Sequence, residues 1–437
     1  MLSSMGAATA ALAPTIESFL SKMGFEVLEE ELEPGPEVSK LLRSREGSRP
    51  LVFRVKGSRF PIASNLVDTR EKAAAAAEGV GGEDLLYRAL ASLPPDPRDS
   101  FVSASFDELY DRVELSAREL GAIKYYEGDA GLYITSAIIV ARAGSSLNAS
   151  VHRMLVVSDK RLVVRVSPRH LHRSIVEARE AGRELEVTIL LGSHPALLLA
   201  ASTSPPYGFY ELTTASVLLG RKLPAAPSPI HGHLIPLGAS IVAEARITLE
   251  EAPEGPFVDL LLTYDKQRLQ PVVEIDGTWV IRGAKPCLHA ILPGGSEHAL
   301  LMGLPREAAI KEAVSRAVPH VVKVRLTRAS GCWLHAVISI KKLSDGDPKN
   351  AILAAFAAHP SLKHVVVVDD DVDPDDPEEV EWAIATRFQA DKGLVVISEA
   401  KGSTMDPSSR DGLTAKMGID ATKPVGAGRE FERVRLR

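Results

Sequence analysis

Cysteine is scarce in this sequence, because Cys287 and Cys332 are the only two in 437 residues. So few cysteines argue against a disulfide framework and against a thiolate zinc site, and they fit a reducing compartment. The first fourteen residues also lack a basic segment followed by a long apolar one, so we expect no secretory signal. A cytoplasmic location is the expectation that follows.

Long apolar runs and basic blocks are missing as well. No uninterrupted stretch of about 18 apolar residues occurs, so we expect no membrane-spanning helix. Acidic residues outnumber basic ones by 57 to 51, which gives a net charge of −6 and argues against a general nucleic-acid binder. The GxGxxG, P-loop, HExxH and GxSxG motifs are also absent, so none of these familiar signatures explains the chain.

The composition that remains is that of an ordinary globular protein, with 45% hydrophobic and 25% charged residues. A chain of 437 residues is too long for one ordinary core, and two or three domains are expected. The proline-rich residues 92–99 are the first linker candidate, and a helix predicted at residues 305–317 marks a second boundary. Strands and helices alternate after that helix, which favours an α/β domain.

Hydrophobic periodicity predicts a β-rich central region between two regions that also contain helices. Helices are predicted at residues 15–26, 170–182, 349–358 and 378–386. Strands are predicted at residues 51–55, 60–63, 133–140, 187–191, 241–248, 257–262, 272–275, 280–282, 321–326, 333–340 and 365–368.

The most informative stretch runs from Asn148 to Arg173. Two apolar runs, at residues 154–157 and 162–166, flank a polar turn and predict a β-hairpin. Strands rise about 3.3 Å per residue, so the turn can bring the two polar ends together. Asn148, Arg153 and His170 would then share one rim. An amide, a guanidinium and an imidazole suit an anion with a bound metal.

A second candidate is the segment EGPFVD, which contains Glu254 and Asp259. Their odd spacing would normally place them on opposite faces of a strand, but Gly255-Pro256 prevents regular pairing and lets the two acids converge. One acid could deliver a proton while the other stays ionised against Arg153. A surface turn with an incidental acid is the alternative.

Several histidines and acids have simpler interpretations. His170 and His172 would face the same way only in an extended segment, and because a helix is predicted there, one ligand is more plausible than two. The pair at His231 and His233 suits a metal or anion site, although loop histidines without such a role are commoner. The acids of residues 369–376 are better explained as partners of a following helix N-terminus than as a metal cluster.

Six features of the chain, taken in order, carry a family resemblance. They are FPIASNLVDTREKAA at residues 60–74, NASVHR at 148–153, PRH at 168–170, ELTTASVLLGRKLP at 211–224, EGPFVD at 254–259, and the C-terminal pair DDDVDPDDPEEVEWAIATR and GLTAKMGIDAT. Together they resemble the UbiD family of prenylated-FMN-dependent decarboxylases. One position departs from the family pattern, because Val258 stands where glycine usually precedes the second acid.

The resemblance implies an α/β (α+β) fold. We expect an N-terminal α/β lobe at residues 1–100 and a split β-barrel-like flavin-binding domain at residues 101–300. A linker helix at residues 301–318 would lead to a C-terminal α/β domain at residues 319–437. In this family the C-terminal domain packs subunits together, so a homo-oligomer, either a dimer or a hexamer, is expected.

The resemblance also implies a cofactor site. Asn148, His170 and Glu211 would hold a divalent ion, usually Mn2+, which bridges to the phosphate of prenylated FMN beside K+. The remaining residues expected to contact the cofactor are Ser150, Val151 and His152 through their backbone, Arg153, Arg169, and Lys416 near the phosphate. A flavin prenyltransferase would supply the cofactor.

The reaction implied is the reversible, non-oxidative decarboxylation of an unsaturated or aromatic acid, with the modified flavin as electron sink. The catalytic residues would be Arg153, Glu254 and Asp259. Arg153 would orient the substrate carboxylate, Glu254 would hold Arg153, and Asp259 would protonate the resulting carbanion.

The length of the chain bears on the substrate. It is shorter than the fungal cinnamate-type and bacterial 4-hydroxybenzoate-type members and resembles compact archaeal ones, which favours a phosphorylated α,β-unsaturated acid over an aromatic acid. Candidates for a second anion site are His231, His233, Arg221 and Lys222. Two other classes of function stay open: a flavin-free metal-dependent hydrolase, and a non-catalytic oligomeric scaffold.

Overall fold

The computed structural model describes residues 13–434. The chain separates into two compact units, Met1–Leu301 and Met302–Arg437. The boundary falls within a long helix, Ser296–Ala317, in the region where the sequence predicts a linker helix. The finer division near residue 100 stays a prediction. The N-terminal residues considered for a secretory signal lie almost entirely outside the described part.

The helices of the first unit are short, and several begin at a side-chain cap or a proline in the first turn. They are α1 (Ile16–Met23), α2 (Pro36–Ser44), α3 (Arg70–Ala76), α4 (Glu83–Ala91), α5 (Pro97–Ser100), α6 (Phe106–Leu109), α7 (His170–Glu180), α8 (Pro195–Ala201), α9 (Thr214–Leu218) and α10 (Ser296–Ala317), which continues into the second unit. Short 3-10 turns occupy Ala117–Leu120 and Glu211–Thr213.

Strands dominate the first unit. They are β1 (Glu26–Leu32), β2 (Leu51–Val55), β3 (Ile62–Ser64), β4 (Phe101–Ser103), β5 (Tyr110–Val113), β6 (Tyr133–Ala143), β7 (Ser146–Val156), β8 (Arg161–Val164), β9 (Leu185–Leu191), β10 (Leu223–Pro227), β11 (Leu234–Pro236), β12 (Ile241–Glu254), β13 (Phe257–Val258), β14 (Tyr264–Asp265), β15 (Arg268–Ile281) and β16 (Leu288–His289).

The largest sheet closes into a six-stranded barrel. Its strands follow the order β12-β9-β6-β7-β8-β15, β12 pairs with β15 to close the ring, and β5 joins β15 outside it. Smaller sheets have the orders β1-β2-β3-β16 and β11-β10-β4, and β13 pairs with β14 alone. The mixed α/β architecture with a central barrel is therefore confirmed.

Alternation along the barrel strands builds the core. Ile139, Ile189 and Ala243 are register partners on β6, β9 and β12, and all three are buried in one apolar cluster. Every second residue of a strand faces the same side, so such partners line one face of the sheet. Burying an isoleucine side chain of this kind contributes roughly 1.5–3 kcal/mol. The barrel wall built in this way carries Asn148 and Arg153 on β7.

Two predicted strands prove to be one. The sequence suggests separate strands at residues 272–275 and 280–282, whereas β15 runs unbroken from Arg268 to Ile281. Its register against β12 shifts where Ile275 pairs with Ala245 and Gly277 with Glu244. The intervening Asp276 is the extra residue of a bulge, which lets the strand continue through what resembles a turn.

Two other element bounds were also predicted wrongly. The strand expected at residues 257–262 stops at Val258, because Leu262 N–H bonds to Asp259 O in a tight turn with Leu262 at a φ of 58°. The helix expected from residue 305 begins at Ser296 and contains Pro305 in its interior. Proline favours the first turn of a helix, which made residue 305 look like a start.

The second unit is an α/β layer. Its strands are β17 (Val321–Leu326), β18 (His335–Ile340), β19 (His364–Asp369), β20 (Leu394–Lys401) and β21 (Leu413–Ala421), in the order β17-β18-β19-β21-β20. The remaining helices are α11 (Asp347–Ala358), α12 (Pro377–Arg387) and α13 (Ala390–Gly393), with 3-10 turns at Arg328–Ser330 and Arg429–Phe431. The helix-strand alternation predicted for this region is confirmed.

The acidic run before α12 serves the helix and its neighbours. The Asp376 side chain caps the helix by accepting the N–H groups of Glu378 and Glu379. Earlier in the run, Asp369 and Asp371 bind the Arg387 guanidinium. The interpretation of these acids as partners of a helix N-terminus is confirmed for Asp376 alone, because others in the run bind Arg387 in the last turn or Lys323. Among the described residues, no helix is long and apolar enough to cross a membrane.

Candidate active site

A buried carboxylate joins the two ends of the predicted hairpin. Glu211 begins a 3-10 turn and is 2% exposed. Its Oε1 accepts the Asn148 Nδ2 amide at 2.7 Å, and its Oε2 accepts the backbone N–H of Ala149 at 2.6 Å. The His170 Nδ1 lies 3.8 Å from Glu211 Oε1, at the first residue of α7. The structure thus brings Asn148, His170 and Glu211 together.

The donor set of this trio fits a divalent cation. The Asn148 Oδ1 atom is buried and has no hydrogen-bond partner among the residues described. A buried amide oxygen without a partner is costly unless something absent from the protein coordinates to it. One amide oxygen, one carboxylate and one imidazole nitrogen suit Mn2+ or a similar ion. Within residues 13–434 no three His, Cys, Asp or Glu side chains gather as a metal group, so this trio depends on its asparagine.

Three acids surround the Arg153 guanidinium at the end of β7. Nε and Nη2 donate to the two carboxylate oxygens of Glu254, at 2.9 and 3.1 Å. Nη1 donates to Asp259 Oδ2 at 2.9 Å, and Nη2 donates to Asp265 Oδ2 at 3.0 Å. The paired bonds to Glu254 form the fork that arginine makes best with a carboxylate. Glu254 and Asp259 therefore converge on one cation, as the proline-interrupted spacing suggested.

Burial and charge oppose each other in this cluster. Burial alone would lower the pKa of Arg153, but hydrogen bonds and charges from its three acids outweigh burial and raise the pKa. Burial would likewise raise the pKa of Asp265, yet the neighbouring arginines hold it below its ordinary value. Burial raises the pKa of the adjacent Asp129 and Tyr133. The cluster therefore favours a fixed ion network bordered by groups that resist ionisation.

Aromatic packing holds Arg153 in place. Its guanidinium carbon lies 4.5 Å from the centre of the Phe257 ring, a cation–π distance. That ring in turn contacts Tyr133, with 4.3 Å between the ring centres. The Tyr133 hydroxyl accepts the N–H of Gly255 at 3.2 Å. The segment that carries both acids is thus anchored to the barrel wall around the arginine.

Val258 fits without distorting this segment. Its side chain is 4% exposed, and its backbone pairs with Tyr264 in the β13–β14 ladder. Its N–H donates to Asp129 Oδ1 at 3.1 Å. Val258 is not among the residues with positive φ, so the backbone here does not require glycine.

The residues between Asn148 and Arg153 form a polar line on β7. Ser150 Oγ lies 2.8 Å from His152 Nε2, and His152 Nδ1 lies 2.9 Å from Arg165 O. A carbonyl can only accept, so Nδ1 carries the proton and the serine hydroxyl donates to Nε2. Burial lowers the pKa of His152 to about 4, and the ring stays neutral near pH 7. Val151 pairs with Ile138 of β6 within this stretch.

The two basic residues expected at the cofactor are in different environments. Arg169 is the residue before the first turn of α7, and burial lowers its pKa. Lys416 is on β21 in the second unit, where its ammonium donates to the carbonyl oxygens of Pro360 and Leu362, each at 2.6 Å. Burial lowers the pKa of Lys416. Their roles toward a cofactor stay predictions.

The remaining basic candidates have other surroundings. His172 is exposed on α7, in keeping with a single histidine ligand in this segment. Lys222 is exposed and donates to the carbonyl oxygen of Arg98 at 2.8 Å, and Arg221 follows the helix α9. The role of Arg221 and Lys222 as a second anion site stays a prediction.

His231 and His233 belong to another cluster. The His231 Nε2 lies 3.7 Å from Glu244 Oε2 and 3.8 Å from Asp276 Oδ2. His233 Nδ1 lies 2.9 Å from the Thr188 hydroxyl. Burial lowers the pKa of His233 to about 4. The carboxylates of Glu244 and Asp276 beside His231 are unfavourable for binding an anion there.

Sequence reasoning missed three residues that the structure places beside Arg153. Asp265 contacts Arg153 directly, and Arg165 and Arg268 bind the same Asp265 carboxylate. Asp265 follows Asp259 by six residues and returns beside it only because the chain reverses between β13 and β14. No motif spacing indicates such a reversal. The closest available signal was the Arg-rich end of the hairpin, where Arg165 follows β8.

Comparison with protein families covers most of the chain. Residues 102–296 match the model of the 3-octaprenyl-4-hydroxybenzoate carboxy-lyase Rift-related domain. Residues 299–421 match the model of the C-terminal domain of the same carboxy-lyases. The two matches meet near the boundary between the two units of the structure.

Curated relatives match over nearly the whole length. The chain is 50% identical to the anhydromevalonate phosphate decarboxylase of Aeropyrum pernix, covering 97% of this chain and 96% of that protein. It is 41% identical to the protein of the same name from Methanothermobacter thermautotrophicus, covering 96% and 99%.

A solved structure shares the fold. The UbiD-class enzyme HmfF from Pelotomaculum thermopropionicum, determined in complex with FMN, superposes with a TM-score of 0.89 at 38% identity, and the match covers 96% of each chain.

Proposed function

Because the chain belongs to the UbiD carboxy-lyase family, we propose that it decarboxylates trans-anhydromevalonate 5-phosphate to isopentenyl phosphate and CO2 with prenylated FMN. The reaction would belong to a modified mevalonate pathway of isoprenoid biosynthesis. The observation that carries the proposal is the Arg153 guanidinium held by Glu254 and Asp259 in a chain that is 50% identical, end to end, to a named decarboxylase of this substrate.

Cofactor binding is assigned to the buried trio at the other end of the β7 line. Asn148, His170 and Glu211 would hold Mn2+, with K+ beside it, and the ions would hold the flavin phosphate. The unpartnered Asn148 Oδ1 supports this assignment. Prenylated FMN would supply an electron sink for the carbanion left when CO2 departs. Lys416, Arg169 and the backbone of residues 150–152 are proposed as further cofactor contacts.

The protein's own residues would then divide the work. Arg153 offers its second Nη1 N–H to the substrate carboxylate, because its other four N–H groups bond to Glu254, Asp259 and Asp265. The fully buried Glu254 fixes the plane of the guanidinium through its paired bonds. Asp259 is 20% exposed, so it can reach both substrate and solvent. Asp259 would take up a proton from solvent and donate it to the carbanion carbon left when CO2 departs.

The cofactor supply, the location and the subunit assembly of the enzyme are also part of the proposal. A flavin prenyltransferase would supply the cofactor in the cytoplasm, and the subunits would assemble as a dimer or a hexamer. An evolved dimeric form of HmfF with prenylated FMN, 34% identical to this chain, supports a homo-oligomer.

The test is an assay of the cofactor-loaded enzyme. The chain is co-expressed with a flavin prenyltransferase, and the bound cofactor is identified by absorbance and mass. The purified enzyme is then given trans-anhydromevalonate 5-phosphate or 4-hydroxybenzoate, and CO2 and isopentenyl phosphate are measured. Turnover of the aromatic acid alone would replace the substrate assignment. A colourless protein with hydrolytic activity would overturn the decarboxylase proposal in favour of a metal-dependent hydrolase.

A further inference from the structure

Three arginines share a single carboxylate beside the candidate active site. Asp265 Oδ2 accepts Arg153 Nη2 at 3.0 Å and Arg165 Nε at 3.3 Å. Its other oxygen, Oδ1, accepts Nη1 of Arg268. Asp265 is 11% exposed at its side chain, so this sharing takes place largely away from water. Arg165 and Arg268 therefore share one carboxylate with Arg153, which also has Glu254 and Asp259.

The sheet forces these cations together. The N–H of Arg165 donates to Arg153 O at 3.1 Å, which makes the two residues neighbours across the β7–β8 hairpin. Arg268 is the register partner of Glu254 at the start of β15. Arg153 and Arg165 are like charges on neighbouring strands, which destabilises a sheet. Glu254, which lies opposite Arg268, and Asp259 are already engaged with Arg153. A second anion next to Arg165 and Arg268 would relieve this repulsion.

Both outer arginines keep hydrogen-bond donors available. Arg165 uses Nε on Asp265 and Nη1 on the carbonyl oxygen of Val166, and Arg268 uses Nη1 alone. Across residues 13–434, Nη2 of each arginine and Nε of Arg268 have no protein acceptor. Their side chains are 17% and 32% exposed, so a small molecule can reach them. Guanidinium groups in this state favour phosphate, which takes several donors at once.

We propose that Arg165 and Arg268, held by Asp265, bind the phosphate of the substrate while Arg153 binds its carboxylate. This inference rests on the proposed function, in which the substrate carries both groups. Because each outer guanidinium bonds to the same carboxylate as Arg153, about 5–8 Å separate it from the Arg153 guanidinium. This distance suits a short substrate that carries a carboxylate at one end and a phosphate at the other. Arg165 and Arg268 thereby select a phosphorylated acid over an aromatic one.

The cofactor phosphate is the other source of the same chemistry. It is assigned to Asn148, His170 and Glu211, which converge on one another rather than on Asp265. The experiment therefore measures flavin content in every variant. Loss of flavin from Arg165→Gln, with no selective effect on the phosphorylated substrate, would assign the arginines to the cofactor and overturn the proposal.

The decisive comparison uses two substrates that differ only in the phosphate. Wild type, Arg165→Gln, Arg165→Lys and Arg268→Gln are assayed on trans-anhydromevalonate 5-phosphate and on the phosphate-free acid. We expect Arg165→Gln to raise KM for the phosphorylated acid about 10- to 100-fold, with kcat within a few-fold and the phosphate-free acid unaffected. Arg165→Lys keeps the charge without the fork and should lie between the two.

A matched control comes from the strand that ends just before Arg165. Arg161 begins β8 four residues before Arg165 and pairs with Glu250 at the surface, so Arg161→Gln should leave both substrates unchanged. Thermal midpoints of all variants separate a folding defect from a binding defect. A purely structural role for Arg165 would lower the midpoint and reduce activity on both substrates equally, which would overturn the proposal.

Binding without turnover completes the test. Calorimetric titration of FMN-loaded protein with isopentenyl phosphate should show at least about tenfold weaker binding in Arg165→Gln than in wild type. A wild-type enzyme that converts the phosphorylated acid, together with variants that bind isopentenyl phosphate normally, would overturn the subsite alone. A wild-type enzyme that fails on the phosphorylated acid would overturn the proposed function, and the subsite with it.

Discussion

Replacing Asp259 by asparagine tests the division of labour around Arg153. The substitution keeps the size of the side chain and removes both its charge and its ability to donate an acidic proton. Asp259 accepts one bond from Arg153 and one from the N–H of Leu260, and neither bond is among the two by which Glu254 orients the guanidinium. Arg153 should therefore keep its position in Asp259→Asn.

The expected loss is in the chemical step. A positioned general acid contributes about 10²- to 10⁴-fold, equivalent to about 2.7–5.4 kcal/mol in activation free energy. The structural cost should be about 1 kcal/mol or less, because the carboxylate is a fifth exposed and its ion pair is partly screened. We expect kcat to fall at least about 100-fold, while the flavin content and the thermal midpoint stay close to those of wild type.

The assay measures kcat and KM at saturating substrate by the release of isopentenyl phosphate and CO2. Asp265→Asn is the matched control, since it also removes one acidic acceptor from Arg153. Asp265 is proposed to hold the phosphate-binding arginines and not to donate the proton, so Asp265→Asn should change mainly KM. A kcat for Asp259→Asn within threefold of wild type would refute the role of Asp259. Equal kcat losses in both variants would mean that only the charge around Arg153 matters.

Three further predictions address the metal, the stability at low pH and a helix cap. Glu211→Gln removes the buried charge between Asn148 and Ala149, and purified protein should retain at least about tenfold less metal by elemental analysis, with less flavin by absorbance. The buried His194 accepts the N–H of Ala196 on Nδ1, and burial lowers its pKa to about 4 against about 6.5 when unfolded. Its neutral form contributes stability that is complete above about pH 6.5 and is lost as the pH falls toward 4. Between pH 7 and pH 5 the unfolding free energy of wild type should therefore fall by about 2 kcal/mol more than that of His194→Asn. Thr69→Ala removes the side chain that caps α3 and accepts the N–H of Lys72 at 3.3 Å, and denaturant titration should show a loss of about 1 kcal/mol.

Each of these predictions has a contrary result. Full metal and flavin content in Glu211→Gln would remove the buried trio from the cofactor site. An unchanged pH dependence in His194→Asn would show that His194 is not neutral in the folded chain. Equal stability of Thr69→Ala and wild type would mean that water replaces the cap without cost.

The polar ends of the hairpin could be predicted because local rules decide them. Strand periodicity and one polar turn predict the hairpin that carries Arg153, and the start of a helix sets His170 apart from His172. Glu211 needed more than local rules, since it is 63 residues from Asn148 in sequence and its position depends on a loop packing onto the barrel. The family resemblance supplied that pairing, and the structure confirms the contact.

The errors have a common physical origin, which is that tertiary packing overrides local signals. A bulge at Asp276 keeps β15 continuous where the sequence resembles a turn. Pro305 is accepted inside α10 although proline favours the first helical turn. A turn after Val258 ends the strand that alternation would have extended.

Asp265 shows why that last error matters for function. A strand continuing through residue 262 would carry Tyr264 and Asp265 away from Asp259. The turn instead pairs Phe257 with Asp265 and brings a third carboxylate onto Arg153. Glu254 then orients Arg153, Asp259 is the proposed proton donor, and Asp265 is shared between Arg153 and Arg165. A buried cation with a single acid would need that acid for its own stability, whereas three acids leave one of them available for chemistry.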